Sequence, residues 1–291
     1  MRSFIVLCIV SMCVFPFYSA VAQNTVITYE IGDYLVTTLS EGGENAKSSL
    51  LVGTTPEILQ KYLPDGVFPL QIQAFLVRTP DRTVLIDAGI GKNLFTNLQS
   101  LNVAEDQIST ILLTHMHGDH IGGLLRDGKK AFSHADLYLS KAEYDYWTSL
   151  QGRGADARKV LEVYKDKLHL FTPVEIGKEP NEILPGFKAV ATYGHTPGHT
   201  AYLIESAKSR LLIWGDIAHA LPVQMPHPEV SLSFDSNPAQ AAQTRKNILE
   251  YVFKNEIKVA GAHIEFPAIG NIVAGKEEGY EFVALCTCEG I

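Results

Sequence analysis

The chain has 291 residues, 46% of them hydrophobic and 19% charged, a composition that builds a folded domain with a sizeable core and excludes a disordered chain. Its formal net charge is −8, from 24 basic and 32 acidic residues. No run of Lys or Arg forms a stripe, so the charge balance repels phosphate backbones and argues against nucleic acid as a partner.

The first residues, MRSFIVLCIVSMCVFPFYSAVAQ, read as a signal peptide over 1–22. Arg2 is followed by an apolar run to Phe15 and then by Ala20-Val21-Ala22, whose small end residues suit cleavage before Gln23. The run falls short of the roughly 20 residues that span a bilayer, so no stable membrane anchor is expected. Met12 is too bulky to precede a lipidated Cys13. The expected address is therefore periplasmic or secreted. Cys8 and Cys13 leave with the leader. Cys286 and Cys288 remain, too close together for a disulfide of ordinary geometry. As a C-x-C pair they could bind metal, although two thiols so near the end read as incidental.

Residues 23–291 contain no repeat, low-complexity block or long Pro/Gly/Ser linker, which predicts one domain. Strands are expected at TVITYEI, YLVTTLS, IQAFLVR and TVLIDAG, the last two joined by the turn Thr79-Pro80-Asp81-Arg82. Residues 41–70 carry Gly and Pro and read as mostly loop, with a short helix over Pro56–Tyr62. STILLTH is a short apolar run that looks buried on both faces. DHIGGLL follows, where two glycines allow close backbone approach as a helix begins. Farther on, Ser140-x-x-Glu143 forms a capping box opening a helix through Trp147 and Leu150, and 155–167 looks helical. RLLIWGD is another buried strand. In the helix after it, Pro238 sits in the first turn and Ala241, Ile248 and Val252 share one face. Strands that precede and alternate with helices indicate a layered α/β domain.

The chemistry concentrates in THMHGDH, residues 114–120. His115 and His117 are one residue apart, so in an extended segment both side chains point the same way and can ligate one ion. Asp119 and His120 follow where the chain turns and face a second position. His199 in GHTPGHT, Asp216 in LLIWGD and His263 in AGAHIEF each sit at the end of a strand or in the loop after it. Seven ligand-type residues placed this way point to metal.

At this point the sequence resembles the metallo-β-lactamase superfamily, whose H-x-H-x-D-H motif stands here as His115-x-His117-x-Asp119-His120. The resemblance spans essentially the whole mature chain. It implies a four-layer αβ/βα sandwich of a single domain, with the metals at one edge. One divalent ion would be held by His115, His117 and His199 and a second by Asp119, His120 and His263, with Asp216 bridging. Zinc is the default, while manganese, iron and cobalt suit the same ligands. Within the superfamily, LTHMHGDHIGGL, GHTPGHT, AHIEFPAIG and EGYEF look like the methyl parathion hydrolase group, a relative of the lactone-opening quorum-quenching enzymes. The resemblance also suggests a homodimer.

Such a pair of ions makes a bridging hydroxide nucleophilic at neutral pH and polarises a carbonyl or phosphoryl oxygen. The implied activity is hydrolysis of lactones, esters or phosphotriesters as small-molecule substrates, with Asp119 also accepting or relaying the hydroxide's proton. Asp87 in LIDAG ends a strand near the motif and either orients a ligand histidine or caps a turn. The parathion-hydrolase group lines its pocket with aromatic residues. Phe95 and Trp147 fall at two of those positions, with core packing the alternative for each, and a third aromatic expected in ARKVLEVY is not evident. His219 is a candidate to face the pocket. His195 is expected to bond locally, and His134 and His169 lie apart.

A β-lactamase would share the motif and the leader but lacks the bridging aspartate that WGD supplies. Glyoxalase II shares the ligands but adds a helical domain after the last histidine. A fold that binds metal or ligand without turnover is the rival from outside enzymes, and it would more often have lost ligands than kept all seven.

Overall fold

The computed structural model describes residues 25–150, 154–178 and 181–285. The expected signal peptide and the Cys286/Cys288 pair lie outside the described residues.

Two sheets form the centre of the molecule. The first runs in the order Val26–Ile31, Tyr34–Lys47, Val67–Arg78, Thr83–Ile86, Thr110–Leu112, Asp136–Ser140, Leu168–Phe171. Its first four strands pair antiparallel and the remainder parallel. The second runs Val174–Glu175, Phe187–Ala191, Thr200–Ser206, Ser209–Ile213, Lys258–Ala260, Ile269–Ala274, Tyr280–Ala284, with Glu182–Leu184 also paired to Phe187–Ala191.

Strand alternation sorts the apolar side chains into layers. Phe75, Val77, Val84 and Ile86 of the first sheet join Phe187, Ile204, Leu211 and Ile213 of the second in one core. Their neighbours Ala74, Leu76 and Leu85 belong to another core, shared with Leu94 and Leu98 of the helix Leu94–Ser100 and Val160 and Leu161 of the helix Ala155–Tyr164. The helix Pro238–Lys254 lays Ile248, Leu249 and Val252 on the second sheet. The result is the four-layer αβ/βα sandwich. Among the described residues no helix is long and apolar enough to cross a membrane.

The stretch 41–70 departs from the expected loop. Its strand continues to Lys47 and pairs with a partner that already begins at Val67, across an irregularity between Ser40 and Gly42. Gly42 takes φ +86°, and a Cβ at Gly43 would lie 2.3 Å from the Leu70 carbonyl oxygen. Long-range pairing, rather than any apolar alternation in EGGEN, makes this a strand. The helix Pro56–Tyr62 forms as expected, with the Thr55 side chain capping the Ile58 N–H.

Arg245, buried on the last helix, fixes the connection that follows the strand Ser209–Ile213. Its guanidinium donates to the carbonyls of Ile217 (2.6 Å), Pro228 (2.9 Å) and Val230 (2.6 Å) and stands 4.0 Å from Asp235. Burial lowers its pKa to about 10, which still leaves it charged at neutral pH. Gln224 completes the clamp, accepting from the N–H groups of His219 and Ala220 and donating to Val230. Arg245→Ala is expected to lower the unfolding free energy by about 3–5 kcal/mol, the cost of breaking a buried charged contact from one side, as measured by urea denaturation.

Candidate metal centre

Five strand ends converge at one edge of the sandwich. Thr83–Ile86 delivers Asp87 and Thr110–Leu112 delivers the His115–His120 segment from the first sheet; from the second, Phe187–Ala191 leads into the His195 loop, Ser209–Ile213 into Asp216, and Lys258–Ala260 into His263. The two sheets are tied here by Thr200 N–H to the Thr114 carbonyl (2.9 Å) and Tyr202 hydroxyl to the Leu113 carbonyl (2.6 Å).

Asp216 lies at the centre and is 3% exposed. Its Oδ2 is 3.1 Å from His195 Nε2, 3.1 Å from His219 Nε2, 3.2 Å from His263 Nε2 and 3.6 Å from His115 Nε2, and its Oδ1 is 3.1 Å from His120 Nε2. His117 Nδ1 is 2.9 Å from both His115 Nε2 and His195 Nε2. Asp119 Oδ2 stands 3.5 Å from His263 Nε2 and 3.8 Å from His120 Nε2. Among the described residues, three groups have donor atoms within 4.8 Å of one another: His115, His117, His195 and Asp216; Asp119, His120 and His263; Asp216, His219 and His263.

Hydrogen bonds on the far side of the rings identify what the near side offers. His263 Nδ1 faces the Gln71 carbonyl at 2.7 Å, which only an N–H can satisfy. His120 Nδ1 lies 2.8 Å from Asp87 Oδ2, His195 Nδ1 lies 2.8 Å from Asp235 Oδ1, and His115 Nδ1 meets a Thr114 hydroxyl that itself donates to Asp87. The neutral rings therefore carry their hydrogens outward and turn Nε2 lone pairs toward carboxylates. Lone pairs so opposed repel unless a cation lies between them. His120 Nε2 and Asp216 Oδ1 are in fact buried without a hydrogen-bond partner. This donor set fits a pair of divalent ions.

Protons are the only cations the bare chain can supply, and the titration directions follow. Burial opposes charge on His120, His195 and His263, but Asp216 and the other nearby carboxylates prevail, lifting His120 well above the ordinary histidine range, His195 to about 9 and His263 upward. Burial alone would raise Asp216, yet His120, His263, His115 and His219 hold it well below the carboxylate range. Burial drives His115 well below its usual value and His117 and His219 to about 4. Metal entering such a site displaces protons.

The expected ligand set needs one correction. His199 is buried beside the cluster, but its Nε2 accepts the Asp216 N–H at 3.0 Å and its Nδ1 faces Thr192, so both ring nitrogens are committed to backbone and hydroxyl partners. Burial pushes its pKa to about 3. His195, expected to bond only locally, instead places its donor atom with those of His115, His117 and Asp216. Asp87 adopts φ +56° and accepts from the Thr114 N–H and hydroxyl besides facing His120, so it orients the motif rather than merely capping a turn.

Among the expected pocket residues, Trp147 meets His117 edge-on at 5.7 Å, and His219 stacks on His263 at 4.5 Å with Nδ1 buried and unpartnered. Phe95 is not brought to the cluster. It stacks on Phe132 under the Arg126 guanidinium and lines a separate groove with Gln99 and Glu105. His134 and His169 lie apart, the latter stacked on Tyr138.

A family model described as the Metallo-beta-lactamase superfamily matches residues 67–263. An N-acyl homoserine lactonase of Bacillus cereus is 26% identical over 176 residues, which are 52% of this chain and 64% of that protein, so the match spans less than two-thirds of the relative. Among solved structures, the hydrolase AbOPH of the beta lactamase superfamily aligns with a TM-score of 0.78 at 28% identity, over 91% of this chain and 98% of its own. AidC, described as a dizinc quorum-quenching lactonase in complex with the product N-hexnoyl-L-homoserine, gives a TM-score of 0.78 over 90% of this chain and 97% of its own. At 22% identity this likeness speaks to the fold.

The exchange of roles between two histidines is directly testable. His195→Ala is expected to weaken metal binding by about 100-fold, at the upper end of what orienting groups alone contribute, whereas His199→Ala retains its metal after dialysis. Elemental analysis of the two variants distinguishes them.

Proposed function

Because the chain belongs to the metallo-beta-lactamase superfamily, we propose that it is an exported dinuclear metal-dependent hydrolase of uncharged lactones and carboxylic esters, with phosphotriesters as a second class. His115, His117 and His195 would hold one ion and Asp119, His120 and His263 the other, with the Asp216 carboxylate available to both. The observation that carries this reading is the central carboxylate ringed by five imidazoles. When bound, the metals supply Lewis acidity and water made nucleophilic near neutral pH.

The chain's own groups set the remainder. Asp119 has a side chain 32% exposed. Burial works against its charge, but His120 and His263 outweigh it and hold the carboxyl below its usual value. It is therefore an ionised acceptor at the solvent side of the cluster, placed to take a proton from water and return it to a leaving oxygen. A cavity of about 180 Å³ opens beside His219 and His263, with Leu221, Pro222, Phe282 and Ala284 among its walls. These walls suit an alkyl or acyl group.

Leu221, Pro222, Glu265 and Phe282 also line a wider groove of about 580 Å³, whose rim carries Glu277, Glu278 and Glu281 against Lys61 and Lys276. The acidic excess favours uncharged substrates over anions such as β-lactam carboxylates. The placement of Phe95 away from the cavity removes one side of an expected aromatic clamp, which favours lactones and alkyl esters over aryl phosphotriesters. The lactonase named among the relatives supports the same choice.

The test is metal content per mature chain together with initial rates on an acyl-homoserine lactone, an aryl ester, methyl paraoxon and nitrocefin. Two ions with lactone or ester turnover are expected. Nitrocefin turnover alone would move the protein to the lactamases, and metal without turnover would make it a binding protein. Asp216→Asn is expected to cut turnover by about 100-fold or more while keeping the fold by circular dichroism.

A further inference from the structure

Glu143 is fully buried at the start of the helix Lys141–Ser149. A capping box would turn its side chain back to the N–H of Ser140, but only half of that exchange forms. Ser140 Oγ accepts the Glu143 N–H at 3.2 Å, while the Glu143 carboxylate turns inward. Its Oε1 accepts the Met116 N–H at 3.0 Å and the Trp147 indole N–H at 2.5 Å; its Oε2 accepts the Thr196 hydroxyl at 2.6 Å and the Gly198 N–H at 3.0 Å.

The identity of these donors gives the carboxylate its meaning. Met116 lies between His115 and His117, its side chain in the core behind the first sheet. Thr196 and Gly198 belong to the loop that carries His195. Trp147 rests its ring edge-on against His117. One carboxylate thus spans the two segments that meet at His117 Nδ1, where His115 Nε2 and His195 Nε2 each approach to 2.9 Å. Ser140 reinforces the tie by donating to the Gly198 carbonyl at 2.7 Å. The approach leaves no slack, for a Cβ at Gly198 would lie 2.0 Å from the Glu143 nitrogen. Burial raises the carboxyl's pKa and the four donors counter it.

We infer that Glu143 is a positioning residue that sets the spacing of His115 and His117 against His195, and thereby the affinity of the ion those three hold. Its hydrogen-bond donors are Met116, Trp147, Thr196 and Gly198, and among the described residues none is Asp119, His120 or His263, so its influence falls first on one of the two ions. The inference rests on the metal assignment proposed above. A fully satisfied buried carboxylate costs less than one left short of donors, and here every donor comes from a segment that carries a candidate ligand or from the indole that rests on His117.

Glu143→Gln keeps the shape but offers one acceptor oxygen to two pairs of donors, so one pair must face an amide NH2. The experiment titrates the metal-free protein with Co2+ and follows visible absorption in two backgrounds. His263→Ala leaves the ion of His115, His117 and His195 to be read, and His195→Ala leaves the other. Glu143→Gln is expected to raise the dissociation constant about 10–100-fold in the first background and less than about twofold in the second. Equal losses in both, in step with a lower unfolding temperature, would make Glu143 a fold-stabilising residue only and overturn the inference, as would no loss in either. Should Glu143→Gln fail to fold, Thr196→Val decides the matter, with a loss of about tenfold expected in the first background alone. A parent chain that binds no Co2+ would overturn the metal assignment itself and this role with it.

Discussion

A single buried carboxylate, Asp216, governs the architecture of this protein. Removing a charge from water costs several kcal/mol even after relaxation, and the fold meets that cost by bringing five histidines from four separate segments to within 3.6 Å of it. The segments can reach one point because each leaves the end of a strand at the same edge of two packed sheets. The sandwich is therefore the frame that holds the histidines. Because the outward nitrogens of His115, His120, His195 and His263 are already committed to Thr114, Asp87, Asp235 and Gln71, those four rings face the carboxylate with a shell of lone pairs. Only cations can close such a shell.

Several of the inward-facing groups are backed by a second buried one. Asp87 holds the first sheet's contribution, taking the Thr114 N–H and hydroxyl together with His120. Asp235 holds His195, and Arg245 secures the connection on which Asp216 and His219 stand. Glu143 joins the two sheets' contributions to each other. These backing residues are themselves charged and buried, and each takes at least one backbone partner, Arg245 three carbonyls and Glu143 two N–H groups. A substitution among them leaves orphaned partners at the site, so stability and metal binding are coupled here more tightly than in a site built on exposed loops.

Much of this was legible in the sequence because short-range spacing encodes it. His115 and His117 must share a side in an extended segment, and Asp119 and His120 must follow where the chain turns. The exchange of His195 for His199 lay beyond that logic. Both stand in GHTPGHT four positions apart, and what separates them is tertiary. His199 directly precedes the strand Thr200–Ser206 and is drawn to the backbone of Asp216, while His195 sits at the apex of the loop with Asp235 behind it. Glu143 was visible only as the second member of a capping box, since three of its four partners lie 27, 53 and 55 residues away. The strand through EGGEN was hidden for a similar reason, its pairing being set by a partner strand and not by its own pattern.

The surface beyond the cluster bears on the direction of the proposed reaction. Hydrolysis of an uncharged lactone or ester creates a carboxylate next to a groove rimmed by Glu265, Glu277, Glu278 and Glu281, on a chain whose formal charge is already −8. Several of these carboxylates are partly occupied, Glu277 and Glu278 by Lys61 and Glu278 also by Tyr62, which holds them in place without reversing the sign of the rim. An uncharged substrate enters without opposition and meets apolar walls. The anionic product faces like charge across low-dielectric surface, where repulsion is screened less than in bulk water. The same feature that disfavours anionic substrates thus favours release of an anionic product, so the rim and the metal cluster act in the same direction along the reaction.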